Sequence, residues 1–244
     1  MKFAIVTGAS RGLGQALVCA LLADDWTVAG LARSAMNDFA NKSFQACQVD
    51  LTDADAAAST LEKLLTTEVL GEASEICLIN NAGVVTPVAL CGNLPHASIS
   101  TALSLNLITP IALVNAFLRL TANSSARRSV ANISSGAAQS AYPGWSVYCA
   151  SKAGLDHFTR CVASEQAVTQ APLRIASIAP GIIDTDMQAQ LRAVGENDFP
   201  ARQRFVELHA GGLLTSPEIV AAQLLSYLAS TTFGNPPVVD LRTL

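Results

Sequence analysis

Aromatic side chains are scarce in this chain: they make up 5% of its 244 residues, and charged residues only 14%. Disorder needs low hydrophobicity and high net charge, so a 50% hydrophobic content excludes it. With so few rings, the core must come from Ala, Val, Leu and Ile. Such a core suits a parallel sheet buried on both faces by helices. Long apolar runs are missing too. None approaches the roughly 18–20 consecutive residues that span a bilayer, so no membrane partner is expected. Nor is there an excess of positive charge to draw nucleic acid, because the formal net charge is −4. The cysteines are Cys19, Cys47, Cys77, Cys91, Cys149 and Cys161; none pairs as CxxC or lies near a histidine at zinc-ligand spacing. No metal site is expected. The short apolar start, Phe3 to Val6, lacks the longer apolar region and cleavage site of a signal peptide. These absences predict a cytoplasmic protein with reduced thiols.

What is present is an alternation. Strands are predicted at 2–7, 27–32, 44–49, 75–80, 129–133, 173–179 and 238–239. Helices are predicted at 13–23, at 53–68 with Thr52 as N-cap, and at about 97–121, 146–169 and 216–229. Strands alternating with helices imply βαβ units and right-handed crossovers. The expected fold is α/β: one Rossmann domain over residues 1–244, with a doubly wound parallel sheet of about seven strands. The segment 184–215 breaks the alternation, and such long excursions are more often functional than decorative.

The first strand runs into Thr7-Gly8-Ala9-Ser10-Arg11-Gly12-Leu13-Gly14. Glycines between a strand and a helix allow a tight turn and a close approach by a pyrophosphate. The following helix offers that group unpaired N–H donors and a positive partial charge. Further on, Tyr148 and Lys152 are four apart in a predicted helix and so share a face. A Lys ammonium beside a phenol favours the phenolate, which is expected to bring Tyr148 toward neutral pH. Ser135 lies thirteen residues upstream at the end of a strand, where open parallel sheets place their active sites.

The TGxxxGxG loop resembles that of the short-chain dehydrogenase/reductase family. The other family motifs follow in order: Asn80-Asn81-Ala82-Gly83, Asn106, Ser134-Ser135, Tyr148-Cys-Ala-Ser-Lys152 and Pro180-Gly181 with Thr185. The resemblance covers nearly the whole chain. It implies a nicotinamide cofactor and a catalytic set of Ser135, Tyr148, Lys152 and Asn106. Tyr148 would exchange a proton with the substrate oxygen, and Ser135 would orient that oxygen. Lys152 would lower the Tyr148 pKa and hold the ribose. Asn106 would fix a water, or be a polar helix residue satisfied by neighbouring backbone. Ser134 is expected to be structural.

The cofactor set implied is Gly8, Ser10, Arg11, Gly12, Leu13, Gly14, Arg33, Ser34, Asp50, Leu51, Asn81, Ala82, Gly83, Tyr148, Lys152, Pro180, Gly181, Ile183 and Thr185. The second strand ends without the acid that usually binds a ribose 2′-hydroxyl. Arg33, Ser34 and Arg11 stand where a 2′-phosphate would lie, so NADP(H) is the expected cofactor. Asp50 would contact adenine, or cap the helix near Thr52. Homodimers or homotetramers through the helices at about 97–121 and 146–169 are implied as well.

Two stretches are narrower. Gly144-Trp145-Ser-Val-Tyr148-Cys149 and Asp184-Thr-Asp-Met187-Gln188 resemble the sepiapterin reductase and bacterial benzil reductase-like members. These imply an NADPH-dependent carbonyl reductase for a small vicinal dicarbonyl or pterin-like substrate. Trp145 is expected as an aromatic wall of the substrate site, or as packing at the helix start. Met187 is expected as an apolar wall, and residues 187–212 as a lid hinged at Gly195 and Gly211-Gly212. Other readings are a short-chain alcohol dehydrogenase, a 3-ketoacyl reductase, a dehalogenating lyase-like member and a non-enzymatic NADP sensor. The retained glycines and Lys152 speak against the lyase, and the intact Ser, Tyr and Lys against the sensor.

Overall fold

A computed structural model describes residues 1–36 and 43–244. Seven parallel strands form one sheet: β1 (Lys2–Thr7), β2 (Trp26–Ala32), β3 (Phe44–Gln48), β4 (Glu75–Asn80), β5 (Arg127–Ile133), β6 (Arg174–Ala179) and β7 (Val238–Asp240). Their order is β3-β2-β1-β4-β5-β6-β7, so the chain starts mid-sheet and winds outward in both directions. The point of reversal lies between β1 and β4, where a crevice opens at the carboxyl ends of the strands.

Strand residues alternate between two cores. Ala4 and Val6 join Leu13, Leu17 and Leu21 of α1 (Gly12–Ala23) and Val220, Leu224 and Leu228 of α9 (Pro217–Ala229). Phe3 and Ile5 face the other way. They join Leu61 of α2 (Ala54–Leu64), Leu113 and Phe117 of α5 (Thr109–Leu120) and Val162 of α6 (Ser146–Gln166). Both faces are thus sealed by aliphatic side chains, and a single Rossmann-like domain results.

The expected helix at 53–68 is two helices, α2 and α3 (Thr67–Glu72). Its cap is Asp53, which accepts from Ala56 N–H at 2.9 Å, and not Thr52. Thr66 then caps α3 by accepting from Val69 N–H, so a second N-cap residue mid-segment restarts the chain. The helix expected at 97–121 is α4 (His96–Leu103) and α5 joined by a π-turn, Ser104–Ile108. By length and composition this run, His96–Leu120, is apolar enough to cross a membrane. Part of it is packed inside: Leu113, Val114, Ala116 and Phe117 of α5 lie in the core. The 184–215 excursion holds α7 (Asp186–Ala193) and α8 (Arg202–Ala210).

Candidate active site

The glycine loop is held by residues on both sides of the crevice. Gly8 and Gly12 adopt φ of +68° and +53°, which disfavours any side chain there. A Cβ on Gly14 would lie 2.1 Å from the Gly8 carbonyl oxygen and 2.6 Å from Asn81 Nδ2. Thr7, not singled out above, is the clamp. Its hydroxyl accepts from the Asn81 and Ala82 N–H groups at 2.9 and 3.0 Å. Asn81 Nδ2 returns a bond to the Thr7 carbonyl at 3.0 Å. The end of β1 is thereby fixed to the loop after β4. The threonine that precedes the first glycine of the TGxxxGxG loop was the available signal.

At the start of α1, Arg11 occupies the N-cap position and provides no side-chain cap. The first-turn N–H groups of Gly12, Leu13 and Gly14 are therefore not bonded by a capping side chain, which fits an anion at this helix end. The Arg11 guanidinium pairs with Asp186 at 3.4 Å, both exposed, so it spans from the glycine loop to α7. Arg33 and Ser34 are exposed at the end of β2. Asp50 accepts from the Thr52 N–H and hydroxyl at 3.0 and 2.9 Å. Those bonds, with Arg33 nearby, hold its carboxyl below the usual range. Leu51 is buried, and its carbonyl accepts from Thr109 at 2.8 Å.

The chemistry-bearing groups meet at the ends of β5 and α6. The Ser135 hydroxyl hydrogen-bonds the Tyr148 phenol and accepts from Ala137 N–H at 3.2 Å. Lys152 Nζ stands 5.8 Å from the Tyr148 ring centroid and donates to the Ile133 carbonyl at 2.8 Å. The expectation that Lys152 brings the phenol toward neutral pH is not met in this structure. Burial pushes Tyr148 up to about 12, outweighing the Ser135 hydrogen bond. The ammonium is directed to a backbone carbonyl and is itself pulled down to about 8 by burial, with Asp156 opposing. Desolvation penalises both charged forms, so each group leans toward neutrality.

Asn106 is fully buried in the π-turn. Its amide brackets Val84, accepting from the N–H at 2.9 Å and donating to the carbonyl at 2.8 Å. The side chain is thus satisfied by neighbouring backbone. It also lines the floor of the site: a Cβ on Gly83 would lie 3.2 Å from Asn106 Oδ1 and 3.7 Å from Lys152 Nζ. Past β6, Gly181 takes a φ of +84°. Thr185 reaches back to within 3.3 Å of where a Gly12 Cβ would stand, so the Pro180–Thr185 loop meets the glycine loop.

Of the two places expected for Trp145, the structure shows packing at the helix start. The indole is buried, stacks on the Tyr148 ring at 4.6 Å, and donates its N–H to the Val85 carbonyl at 3.1 Å. Phe199 and Phe205 of the excursion close over it at 5.4 and 5.9 Å. It is a brace behind the tyrosine. Met187 is half-buried against the same cluster. The three histidines are exposed, and among the described residues no His, Cys, Asp or Glu cluster suits a metal. Ser134 is structural, as expected: it donates to Asp156, a residue the sequence reading did not weigh. The spacing 148, 152, 156 along one helix face was the missed signal.

The profile of the family described as short chain dehydrogenase matches residues 2–195. The benzil reductase ((S)-benzoin forming) of Bacillus subtilis is 40% identical over 242 residues, covering 99% of each chain. The sepiapterin reductase of Rattus norvegicus is 31% identical over 252 residues, covering 97% of this chain and 94% of its own. Among solved structures, the KRED1-Pglu enzyme superposes with a TM-score of 0.84 at 33% identity, covering 98% of this chain and all of that one. This chain therefore belongs to the short-chain dehydrogenase/reductase family and is a nicotinamide-dependent oxidoreductase.

Proposed function

We propose that this protein is an NADPH-dependent carbonyl reductase that reduces one ketone of a small vicinal dicarbonyl or pterin-like compound. The observation that carries this reading is the Ser135–Tyr148 hydrogen bond beside Lys152, at the strand ends that face the glycine loop. The extent of the benzil reductase match supports the dicarbonyl class.

When bound, the cofactor supplies the hydride. The uncapped turn at Gly12, Leu13 and Gly14, with Gly8 and Ser10, would take its pyrophosphate. Arg33, Ser34 and Arg11 would take the 2′-phosphate, with Asp50 and Leu51 on adenine. Asn81, Ala82 and Gly83 line the centre, and Pro180, Gly181, Ile183 and Thr185 would hold the carboxamide side. Ser135 donates to the carbonyl oxygen and holds it toward Tyr148. Tyr148, kept neutral by burial, donates its proton as the oxygen gains charge. Lys152 holds the ribose side and offsets the phenolate left behind. Residues 187–212 would cover the substrate. The apolar run His96–Leu120, with Ile108 half exposed, supports association of copies as a homodimer or homotetramer.

Tyr148→Phe decides the reading. NADPH oxidation with a vicinal diketone should fall by about 10²–10⁴-fold, and survival of turnover rejects the assigned acid. The pH profile gives a second check. Lys152 at about 8 loses its proton before Tyr148 at about 12, so the alkaline limb of kcat/KM for reduction should belong to Lys152. Activity should be full below that value and decline above it, and a limb appearing only near the tyrosine value would contradict this.

A further inference from the structure

One buried acid at the site has no part in the chemistry above. Asp156 lies on α6, one turn beyond Lys152, and is only 3% exposed. Its Oδ1 accepts from the Ser134 hydroxyl at 2.5 Å and the Ser177 hydroxyl at 2.6 Å. One carboxylate thus ties α6 to the residue that follows β5 and to the interior of β6. Ser134 stands between two working residues. Ile133 before it accepts the Lys152 ammonium, and Ser135 after it bonds the Tyr148 phenol.

A buried carboxylate costs several kcal/mol unless it is paired and hydrogen-bonded. Two serine hydroxyls would be satisfied as well by a neutral amide, so the hydrogen bonds alone do not account for a charge here. The other charged groups around this pair are distant or already matched. Arg127, Arg128 and Arg174 start their strands, at the opposite end of the sheet. Arg119 is in the last turn of α5 and pairs with Glu62. His96 on α4, and His157 and Arg160 on α6, are exposed. Asp240 and Arg242 share a narrow cleft with Ser135 and Asp156, but pair with each other at 2.9 Å. Tyr148 and, beside it, Cys149 are the remaining titratable groups at this end of α6.

We propose that Asp156 is a positioning residue, the buried counter-charge that keeps Lys152 an ammonium while pinning the Ser134–Ser135 turn. The inference rests on the reductase reading through Lys152. In the structure, burial draws Lys152 down to about 8 and Asp156 opposes the fall. Removing the negative charge therefore lowers Lys152 further, and the ammonium is lost at a lower pH.

Asp156→Asn keeps the shape and an oxygen to accept from both serines. With NADPH and a vicinal diketone, its kcat/KM near pH 6 should stay within about threefold of wild type, a change of less than 1 kcal/mol. Its alkaline limb should move down by about one pH unit. The Ser134→Ala/Ser177→Ala pair should lower kcat with no downward shift. The ligand-free protein gives an independent readout. Lys152 is depressed below its unfolded value of 10.5, so folding stability gains with pH once the folded lysine begins to lose its proton. That gain, followed by thermal melting, should begin at lower pH in Asp156→Asn. If Asn does not fold, Asp156→Ser is measured in the same way. A neutral residue at 156 that folds and leaves both the limb and the melting profile in place overturns the inference. A wild type without turnover refutes the reductase reading and this inference with it; a limb and a melting profile that both stay in place refute this inference alone.

Discussion

The two regions that close on the candidate site are held by opposite means. At the glycine loop the chain is fixed by polar bonds. Thr7, Asn81 and Ala82 exchange three hydrogen bonds of 2.9–3.0 Å across the β1–β4 crevice, and Gly14 has no room for a methyl group. Over Tyr148 the 184–215 excursion is fixed by rings. Phe199 and Phe205 pack on Trp145, and Trp145 packs on Tyr148. Hydrogen bonds are directional and suit a cradle that must match a rigid diphosphate. Aromatic packing is broad and less directional, and suits a cover that leaves and returns. The structure thus uses directional polar bonds at the glycine loop and ring packing over Tyr148.

Three substitutions can break this contrast, beginning with the largest effect. Phe199→Ala removes a fully buried ring, a loss of about 3–5 kcal/mol. If ring packing is what docks the excursion, limited proteolysis within 187–212 should accelerate by about 100-fold while the sheet's melting point shifts little. A uniform drop in melting, with no preferential cleavage there, would show the excursion to be part of the main cooperative unit. Thr7→Val strands the Ala82 N–H, while Asn81 N–H keeps the Ile79 carbonyl, and should cost about 1–3 kcal/mol. Here melting should fall by several degrees and the KM for NADPH should rise, with cleavage of 187–212 unchanged. Arg33→Ala is the mildest. Being exposed, Arg33 should add little to stability. Its loss should raise the KM for NADPH several-fold and that for NADH hardly at all. An unchanged NADPH KM removes Arg33 from the 2′-phosphate site.

The sequence carried the sheet well, because each strand is an apolar run stopped by glycine or a polar turn. The edges of β1 and β4 agree with expectation to the residue. Helix interruptions were less visible. The break at Leu65 depends on a second cap, Thr66, inside an otherwise periodic segment. The π-turn at Asn106 shows no break in apolar spacing. Within the site, motif spacing brought Ser135, Tyr148 and Lys152 together correctly, since the fold fixes those distances. It could not say what lay behind the tyrosine. Sharing a helix face with Tyr148 left Trp145 open to two places, facing substrate or packing at the helix start, and spacing alone does not choose between them. The rings that cover it come from residues 199 and 205, and long-range packing of that kind leaves no local signal. The Tyr148 pKa was misjudged for a similar reason: proximity to Lys152 was readable, and the depth of burial was not.

The excursion also leaves and rejoins the body at one point. Ile183 and Thr215 form an isolated parallel bridge, with Asp184 N–H donating to the Thr215 carbonyl at 2.9 Å and Thr215 N–H to the Ile182 carbonyl at 3.0 Å. Chain ends that are already fastened make a loop insensitive to its own length, since doubling a loop adds only about 0.6 kcal/mol of closure entropy. The length of the segment between these two anchors is therefore open to change at little entropic cost. A graft between Ile183 and Thr215 would have to keep Thr185, which meets the glycine loop, and Phe199 and Phe205, which pack on Trp145 behind Tyr148; the stretches between those residues are where length is free to vary.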